Sequence, residues 1–84
     1  MKNVTIYTGP NCNYCNAAKK LLDRNYVSYT EINIGTTDGA IDEMIKKSQG
    51  KKTIPQIFIE DLHVGGYDEL RVLEKENKLV LFTE

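Results

Sequence analysis

The chain has 84 residues and a formal net charge of −1, so it is expected to form one small domain, residues 1–84, without the basic surface that broad nucleic-acid binding requires. No apolar run approaches the roughly 20 residues that span a membrane, and the N-terminal segment lacks the apolar core of a secretory signal. Its 2 cysteines stand close together and leave none for a structural disulfide, a usage that is typical of the reducing cytoplasm.

The first half of the chain predicts a strand, a helix and a second strand. Residues 3–8 are rich in β-branched and aromatic side chains and predict a strand, which a Gly-Pro-Asn turn ends. From Asn13 to about Arg24 the apolar residues fall on one face of a helix. Residues 27–34 are again rich in strand formers, and the loop at 35–38 ends in residues that favour a helix N-cap.

The second half predicts a helix, two strands and a last helix. From Ile41 the apolar residues recur at helical spacing, with acidic residues early, lysines late and a glycine as stop signal. Residues 57–59 and 62–64 predict two strands joined by a tight turn. Asp68 is suited to cap the last helix, and the tail after Asn77 is open between a continuation of that helix and an irregular end.

This order, β-α-β-α-β-β-α, predicts an α/β fold. The first two strands are joined through a helix and should be parallel with a right-handed crossover, whereas the last two form a hairpin and should be antiparallel. The expected result is a four-stranded mixed sheet flanked by three helices, with helices on both faces.

Cys12-Asn13-Tyr14-Cys15 is a C-x-x-C motif that follows a strand and begins a helix. A structural zinc site needs four ligands, and beyond this pair the chain offers only His63 as a further candidate. Two cysteines packed as small hydrophobic residues are a second interpretation. A redox-active dithiol is the third, and the position at a helix start favours it.

The start of a helix stabilises a thiolate at Cys12. The first backbone N–H groups of a helix lack partners within the helix and point toward this position, and the helix dipole adds to their effect. Cys15 lies one turn further in, so its thiolate gains less. Cys12 is therefore the expected nucleophile and Cys15 the resolving thiol, and the spacing allows a disulfide between them.

With three further segments, these residues resemble the glutaredoxin family, whose members have the thioredoxin fold. The resemblance covers nearly the whole chain and rests on IYT, CNYC, TIPQIFI and GGYDEL, and small bacterial dithiol glutaredoxins are similar in size and motif. It implies glutathione-dependent reduction of protein disulfides and glutathionyl mixed disulfides, with glutathione as co-substrate. The implied partners are disulfide-containing or glutathionylated proteins, with ribonucleotide reductase among the candidates, and a monomer is expected.

The resemblance also implies a glutathione site. Its residues would be Cys12, Tyr14, Lys51 or Lys52, Thr53, Ile54, Pro55, Gly66, Tyr67 and Asp68. Ile54 would pair its backbone with the cysteinyl unit, Pro55 would be cis and face the thiols, and the start of the last helix would receive the γ-glutamyl carboxylate. From the residues alone, Pro55 could be an ordinary trans proline at a strand start, and Asp68 could be only a helix cap. Tyr7, Tyr29 and His63 are expected to be packing residues.

Two positions depart from the family pattern. Asn13 stands where the family usually has proline, and Gly9 where many relatives have lysine, so the low pKa expected of Cys12 cannot depend on that lysine. Asn13 also leaves open a glutaredoxin that binds a [2Fe–2S] cluster between two protomers, which brown colour and dimerisation would identify. A redoxin recycled by thioredoxin reductase, donating electrons to ribonucleotide reductase, is the other alternative, and Tyr67 and Asp68 argue against it.

Overall fold

The computed structural model describes residues 2–84, which contain four strands and four helices. The strands are Val4–Thr8 (β1), Thr30–Asn33 (β2), Gln56–Ile59 (β3) and Leu62–Gly65 (β4). The helices are Asn13–Arg24 (α1), Ala40–Lys47 (α2), Tyr67–Lys75 (α3) and Leu79–Thr83 (α4). The order is β1-α1-β2-α2-β3-β4-α3-α4, as predicted up to the last short helix. Within residues 2–84, every helix is too short or too polar to cross a membrane.

The four strands form one mixed sheet in the order β2-β1-β3-β4. β1 and β2 are parallel, because α1 carries the chain back between them, and β3 is antiparallel to both β1 and β4. The prediction of one parallel pair and one antiparallel hairpin is confirmed. β1 and β3 occupy the centre of the sheet, so the chain segments that follow β1 and precede β3 lie at the same end.

Successive side chains of the two central strands point to opposite faces of the sheet, so a hydrophobic core forms on each face. Val4 and Ile6 of β1 pack with α1, α3 and α4, in a cluster that includes Leu21, Leu70 and Leu79. The intervening side chains face α2, where a second cluster forms from Tyr7, Phe58 and Met44. The sheet therefore has helices on both faces, as predicted.

The starts of two helices differ from their predicted caps. α2 begins after Gly39, which is in the left-handed conformation with a φ of 76° and makes no side-chain cap. α3 begins after Gly66, so Asp68 lies inside the helix and the prediction that it caps α3 is wrong. Glu69 takes that role, since its Oε1 accepts a hydrogen bond from the Gly66 N–H at 2.8 Å.

Two segments differ in length from their predicted elements. β2 is shorter than the predicted strand at 27–34 because Val27 follows a turn at the end of α1 and is buried in the core without pairing with β1. The tail after Asn77 forms α4, a separate short helix, and places Leu79 in the core at 2% exposure. The backbone N–H of Lys2 donates to the Thr83 carbonyl at 2.9 Å, which ties both ends of the chain together.

Candidate active site

The cysteine pair lies at the start of α1, where the chain leaves the central strand β1. Cys12 is the N-cap residue, with extended backbone angles of φ −113° and ψ 101°, and its sulfur accepts a hydrogen bond from the Cys15 N–H at 3.1 Å. The two sulfurs lie within bonding distance and form a disulfide. The Cα atoms are 5.2 Å apart, inside the usual range for a disulfide, so the predicted spacing is confirmed.

The two cysteines differ in their surroundings. Cys15 is 1% exposed and belongs to the buried face of α1, whereas Cys12 is only partly buried at the helix end. A thiol that attacks a substrate disulfide must be reached from solvent, whereas a thiol that attacks another cysteine of the same protein need not be. The asymmetry therefore allows Cys12 to react with a substrate and Cys15 to react only within the protein.

A cleft of about 230 Å³ lies beside the C-x-x-C motif, whose Tyr14 lines it. It is lined by Tyr14, Thr53, Ile54, Pro55, Gly66, Tyr67, Asp68 and Glu69. These residues come from three separate segments: the C-x-x-C motif, the loop before β3 and the first turn of α3. The fold thus brings together most of the residues that the sequence predicts to bind glutathione.

The loop before β3 forms one wall of the cleft. The peptide bond between Ile54 and Pro55 is cis, as the resemblance implies, and Pro55 is buried. A Cβ atom on Gly66 would lie 3.4 Å from the Pro55 carbonyl oxygen, an ordinary van der Waals distance, so the start of α3 lies directly against this loop. Gly9 also lies against the loop, since a Cβ atom there would come within 2.7 Å of the Ile54 Cδ1 atom and the end of that side chain would have to shift.

The first turn of α3 and two tyrosine rings form the opposite wall. The rings of Tyr14 and Tyr67 have centroids 5.8 Å apart, and Tyr14 is 64% exposed at the mouth of the cleft. Gly65 has a φ of 119°, a conformation that favours glycine, and its backbone turns the chain from β4 into α3. Backbone N–H groups at a helix start and exposed aromatic rings suit a peptide-like ligand that carries a carboxylate.

Glu69 is the cleft residue that sequence reasoning missed. Its carboxylate accepts the Gly66 N–H and so occupies one donor at the start of α3. A glutamate three residues after an N-cap position is the second half of a capping box, which was a usable signal. It was obscured because the N-cap residue is glycine rather than serine or threonine.

Four predicted or considered residues do not line the cleft, and one of them is Cys12, which belongs to the same motif as Tyr14. Lys51 and Lys52 are exposed on the segment before Thr53 and do not line the cleft, and the Lys51 N–H donates to Ser48 Oγ at 3.1 Å. His63 stacks on Phe58 with ring centroids 4.8 Å apart, in keeping with the packing role expected of it.

Comparison with known proteins agrees with this geometry. Residues 4–64 match the family model for glutaredoxin. The chain is 49% identical over 80 residues to glutaredoxin 1 of Rickettsia conorii, covering 94% of this chain and 78% of that protein. The chain belongs to the glutaredoxin family. As a glutaredoxin with an intact C-x-x-C pair, it is a glutathione-dependent thiol–disulfide oxidoreductase.

Solved glutaredoxin structures share the fold. The solution structure of a glutaredoxin from Brucella melitensis has a TM-score of 0.84 and 44% identity, covering 99% of this chain and 89% of that one. A crystal structure of a buckwheat glutaredoxin–glutathione complex has a TM-score of 0.84 and 28% identity, covering 95% of this chain and 74% of that one. The thioredoxin-like fold predicted from the sequence is confirmed.

Proposed function

We propose that Cys12 is the nucleophile of this glutaredoxin, that Cys15 is its resolving thiol, and that the cleft binds the glutathionyl group of the substrate. The observation that carries this proposal is the hydrogen bond from the Cys15 N–H to the Cys12 sulfur at 3.1 Å. A backbone donor aimed at that sulfur, at the positive end of α1, stabilises a thiolate on Cys12. Cys15, buried one turn further into the helix, has no such position at the helix end.

The cleft offers groups that complement each part of glutathione. The Ile54 backbone would pair with the cysteinyl unit, and Tyr14 and Tyr67 would pack against it. The N–H groups of Tyr67 and Asp68 at the start of α3 would receive the γ-glutamyl carboxylate, while Gly66, whose N–H donates to Glu69, would line the site beside them. Lys51 or Lys52 would meet the glycine carboxylate after a rearrangement of their exposed side chains. The buckwheat relative, solved as a complex with glutathione, supports this assignment.

With a glutathionylated substrate, the reaction needs Cys12 alone. The Cys12 thiolate attacks the glutathione sulfur, a Cys12–glutathione disulfide forms, and the substrate leaves as a thiolate. A second glutathione thiolate then attacks that disulfide, which releases glutathione disulfide and restores the Cys12 thiolate. Each exchange depends on the attacking thiolate and on the leaving thiol, so no separate catalytic base is required.

With a protein disulfide, Cys15 completes the reaction. Cys12 attacks one substrate sulfur and the other leaves as a thiolate. Cys15 then attacks the Cys12 sulfur, which releases the second substrate thiol and closes the Cys12–Cys15 disulfide. Two glutathione molecules reduce that disulfide and leave as glutathione disulfide. The geometry of the oxidised pair, with Cα atoms 5.2 Å apart, supports this closure.

The test is glutathione-dependent turnover of a glutathionylated peptide, with NADPH and glutathione reductase recycling the glutathione. We expect the wild type and Cys15→Ser to turn over and Cys12→Ser to be inactive. Cys15→Ser should turn over a protein disulfide much more slowly than the wild type, since glutathione from solution must then release the mixed disulfide in place of the adjacent Cys15 thiol. A Cys12→Ser variant that retains turnover, or a folded wild type that is inactive with glutathione, would reject the proposal.

Three finer statements belong to the same proposal. We infer that glutathione serves as a co-substrate rather than as part of a bound [2Fe–2S] cluster, that the protein works as a cytoplasmic monomer, and that residues 1–84 act as one domain. Disulfide-containing and glutathionylated proteins are the substrate class, with ribonucleotide reductase one candidate. Anaerobic purification tests the first inference, because a brown dimer would contradict it, and turnover with thioredoxin reductase in place of glutathione would contradict the choice of reductant.

A further inference from the structure

A series of contacts between side chains links β4 to the wall of the cleft. Phe58 and His63 face each other as partners in the β3–β4 pairing, and their rings stack with centroids 4.8 Å apart. Gln56 lies two residues before Phe58 and therefore on the same face of the sheet. His63 reaches it diagonally, since its Nε2 atom lies 2.6 Å from Gln56 Oε1.

Gln56 in turn holds the loop that lines the cleft. Its side-chain Nε2 donates to the Thr53 carbonyl oxygen at 3.0 Å and lies 3.1 Å from Thr53 Oγ1. Gln56 is 3% exposed and Thr53 is exposed, so these contacts join a buried side chain to the surface loop. The side chain spans from the first residue of β3 back across Pro55 to Thr53, and it thereby closes the loop on itself.

These contacts determine which ring nitrogen of His63 carries a hydrogen. The Thr53 carbonyl only accepts hydrogen bonds, so the NH₂ group of Gln56 must face it and Oε1 must face His63. Oε1 also only accepts, so the Nε2 atom of His63 is a donor. Without that donor, the buried Oε1 atom would lose its partner, and the amide would be held only through its contacts with Thr53.

We propose that His63 is a positioning residue for the cleft: through Gln56 it holds the Thr53–Pro55 loop in the conformation that binds the glutathionyl group. This inference rests on the proposed function, since it requires that the loop contacts glutathione. His63 takes no proton from the substrate or the thiols. Its effect is on recognition of the glutathionyl group, and the reactivity of Cys12 toward other disulfides does not depend on it.

A matched pair of substitutions tests the role. His63→Gln keeps an amide donor at about the distance of the histidine Nε2 atom, whereas His63→Asn has the same chemistry and stops one methylene short. We expect His63→Asn to lower kcat/KM for a glutathionylated peptide by about three- to tenfold, because one buried hydrogen bond is lost, and His63→Gln to restore most of it. His63→Leu, which has no donor, repeats the test if asparagine destabilises the strand.

A second disulfide separates recognition from thiol reactivity. Each reduced variant is also mixed with dithiobis-nitrobenzoate, an aromatic disulfide without a glutathionyl group, and the rate of its reaction with Cys12 is followed by absorbance. We expect the wild type and all His63 variants to react with it at the same rate. A loss confined to the glutathionylated peptide is a readout that general loosening of the active site would not give.

The outcomes separate this inference from the proposed function. If the wild type shows no preference for the glutathionyl group, glutathione recognition by the cleft fails and the inference fails with it. If the wild type shows the preference and both His63→Asn and His63→Leu keep it, only the role of His63 is overturned. Equal losses in His63→Gln and His63→Asn would also overturn it, because the ring would then act by packing on Phe58 alone.

Discussion

Tyr7 places a phenol next to a carboxylate in the core between the sheet and α2. The side chain is fully buried, and its hydroxyl donates to Glu43 Oε1 at 2.6 Å. Burial, followed by the contact with Glu43, raises the pKa of Tyr7 well above its ordinary value of 10.0. The protonated phenol therefore stabilises the folded state fully below that ordinary value, and the stabilisation is lost as the pH rises above it.

Tyr7→Phe should therefore reduce the alkaline loss of stability. Above a pH of about 10, we expect the free energy of unfolding of the wild type to fall more steeply than that of the variant, by up to about 1.4 kcal/mol per pH unit. Urea unfolding at a series of alkaline pH values measures both slopes. Tyr26→Phe is the matched control, because Tyr26 is 90% exposed and should leave the slope unchanged. Parallel wild-type and Tyr7→Phe curves would contradict the argument.

Among single residues, the sequence predicted those that react covalently, because only cysteine can form a disulfide with a substrate. Cys12 and Cys15 follow from spacing and from their place before a helix, and the structure puts them there. Glu69 showed only as half of a capping box, and Gln56 could not be found at all, because it acts through hydrogen bonds to groups whose positions depend on the folded chain. A polar residue of a strand or helix shows in the sequence only its type and not its partner.

Asn13, which stands where the family usually has proline, lies at the start of α1 and affects how strongly the backbone of that first turn is restrained. Asn13 is the first residue of the helix, and its backbone N–H would have no partner within the helix whatever residue stood there. Cys12 before it has backbone angles of φ −113° and ψ 101°, close to those that a residue preceding proline adopts. The family's usual proline therefore fits this backbone. Its replacement by asparagine leaves the folded conformation of the turn unchanged and removes only the restraint that the proline ring places on the backbone.

Asn13→Pro should stabilise the protein. Proline at this position lowers the conformational entropy of the unfolded chain and removes no hydrogen bond that the helix uses. We therefore expect the free energy of unfolding to rise by about 0.4–1 kcal/mol. Urea unfolding of the oxidised protein measures it. Asn16→Pro is the contrasting control, since the Asn16 N–H donates to the Cys12 carbonyl at 3.2 Å and its loss should cost about 3 kcal/mol. Destabilisation by Asn13→Pro would show that the asparagine makes a contribution of its own.

Elements with strong internal patterns were predicted closely, and those that depend on tertiary contacts were not. α1 begins at Asn13 and ends at Arg24 as its apolar spacing indicates. The length of β2 was overestimated because valine is common in strands, whereas Val27 is buried in the core beside α1. The tail after Asn77 was left open, because a five-residue helix has little stability of its own and exists here through its packing.

For the whole molecule, the core on the α1 and α3 face joins the active-site helix to both ends of the chain. Leu79 of α4 packs there with Leu21 of α1 and Leu70 of α3, and the Lys2 N–H bonds to the Thr83 carbonyl beside them. A domain of this size has little core in reserve, because small domains bury a smaller share of their surface than large ones. The short last helix should therefore contribute to the stability of the entire fold and of the helix that carries Cys12.

Leu79→Ala should destabilise the whole domain cooperatively. The side chain is 2% exposed, and its removal leaves a cavity in the cluster, so we expect a loss of about 2–4 kcal/mol, a large share of the roughly 5–15 kcal/mol that holds a small domain folded. Leu81→Ala is the matched control on the same helix, because Leu81 is 66% exposed and its change should stay within about 0.5 kcal/mol. Circular dichroism and tyrosine fluorescence should report the same midpoint for Leu79→Ala, since α4 shares one core with β1 and α1. Separate midpoints would mean that α4 unfolds by itself, and the last helix would then be an accessory to the fold rather than part of its core.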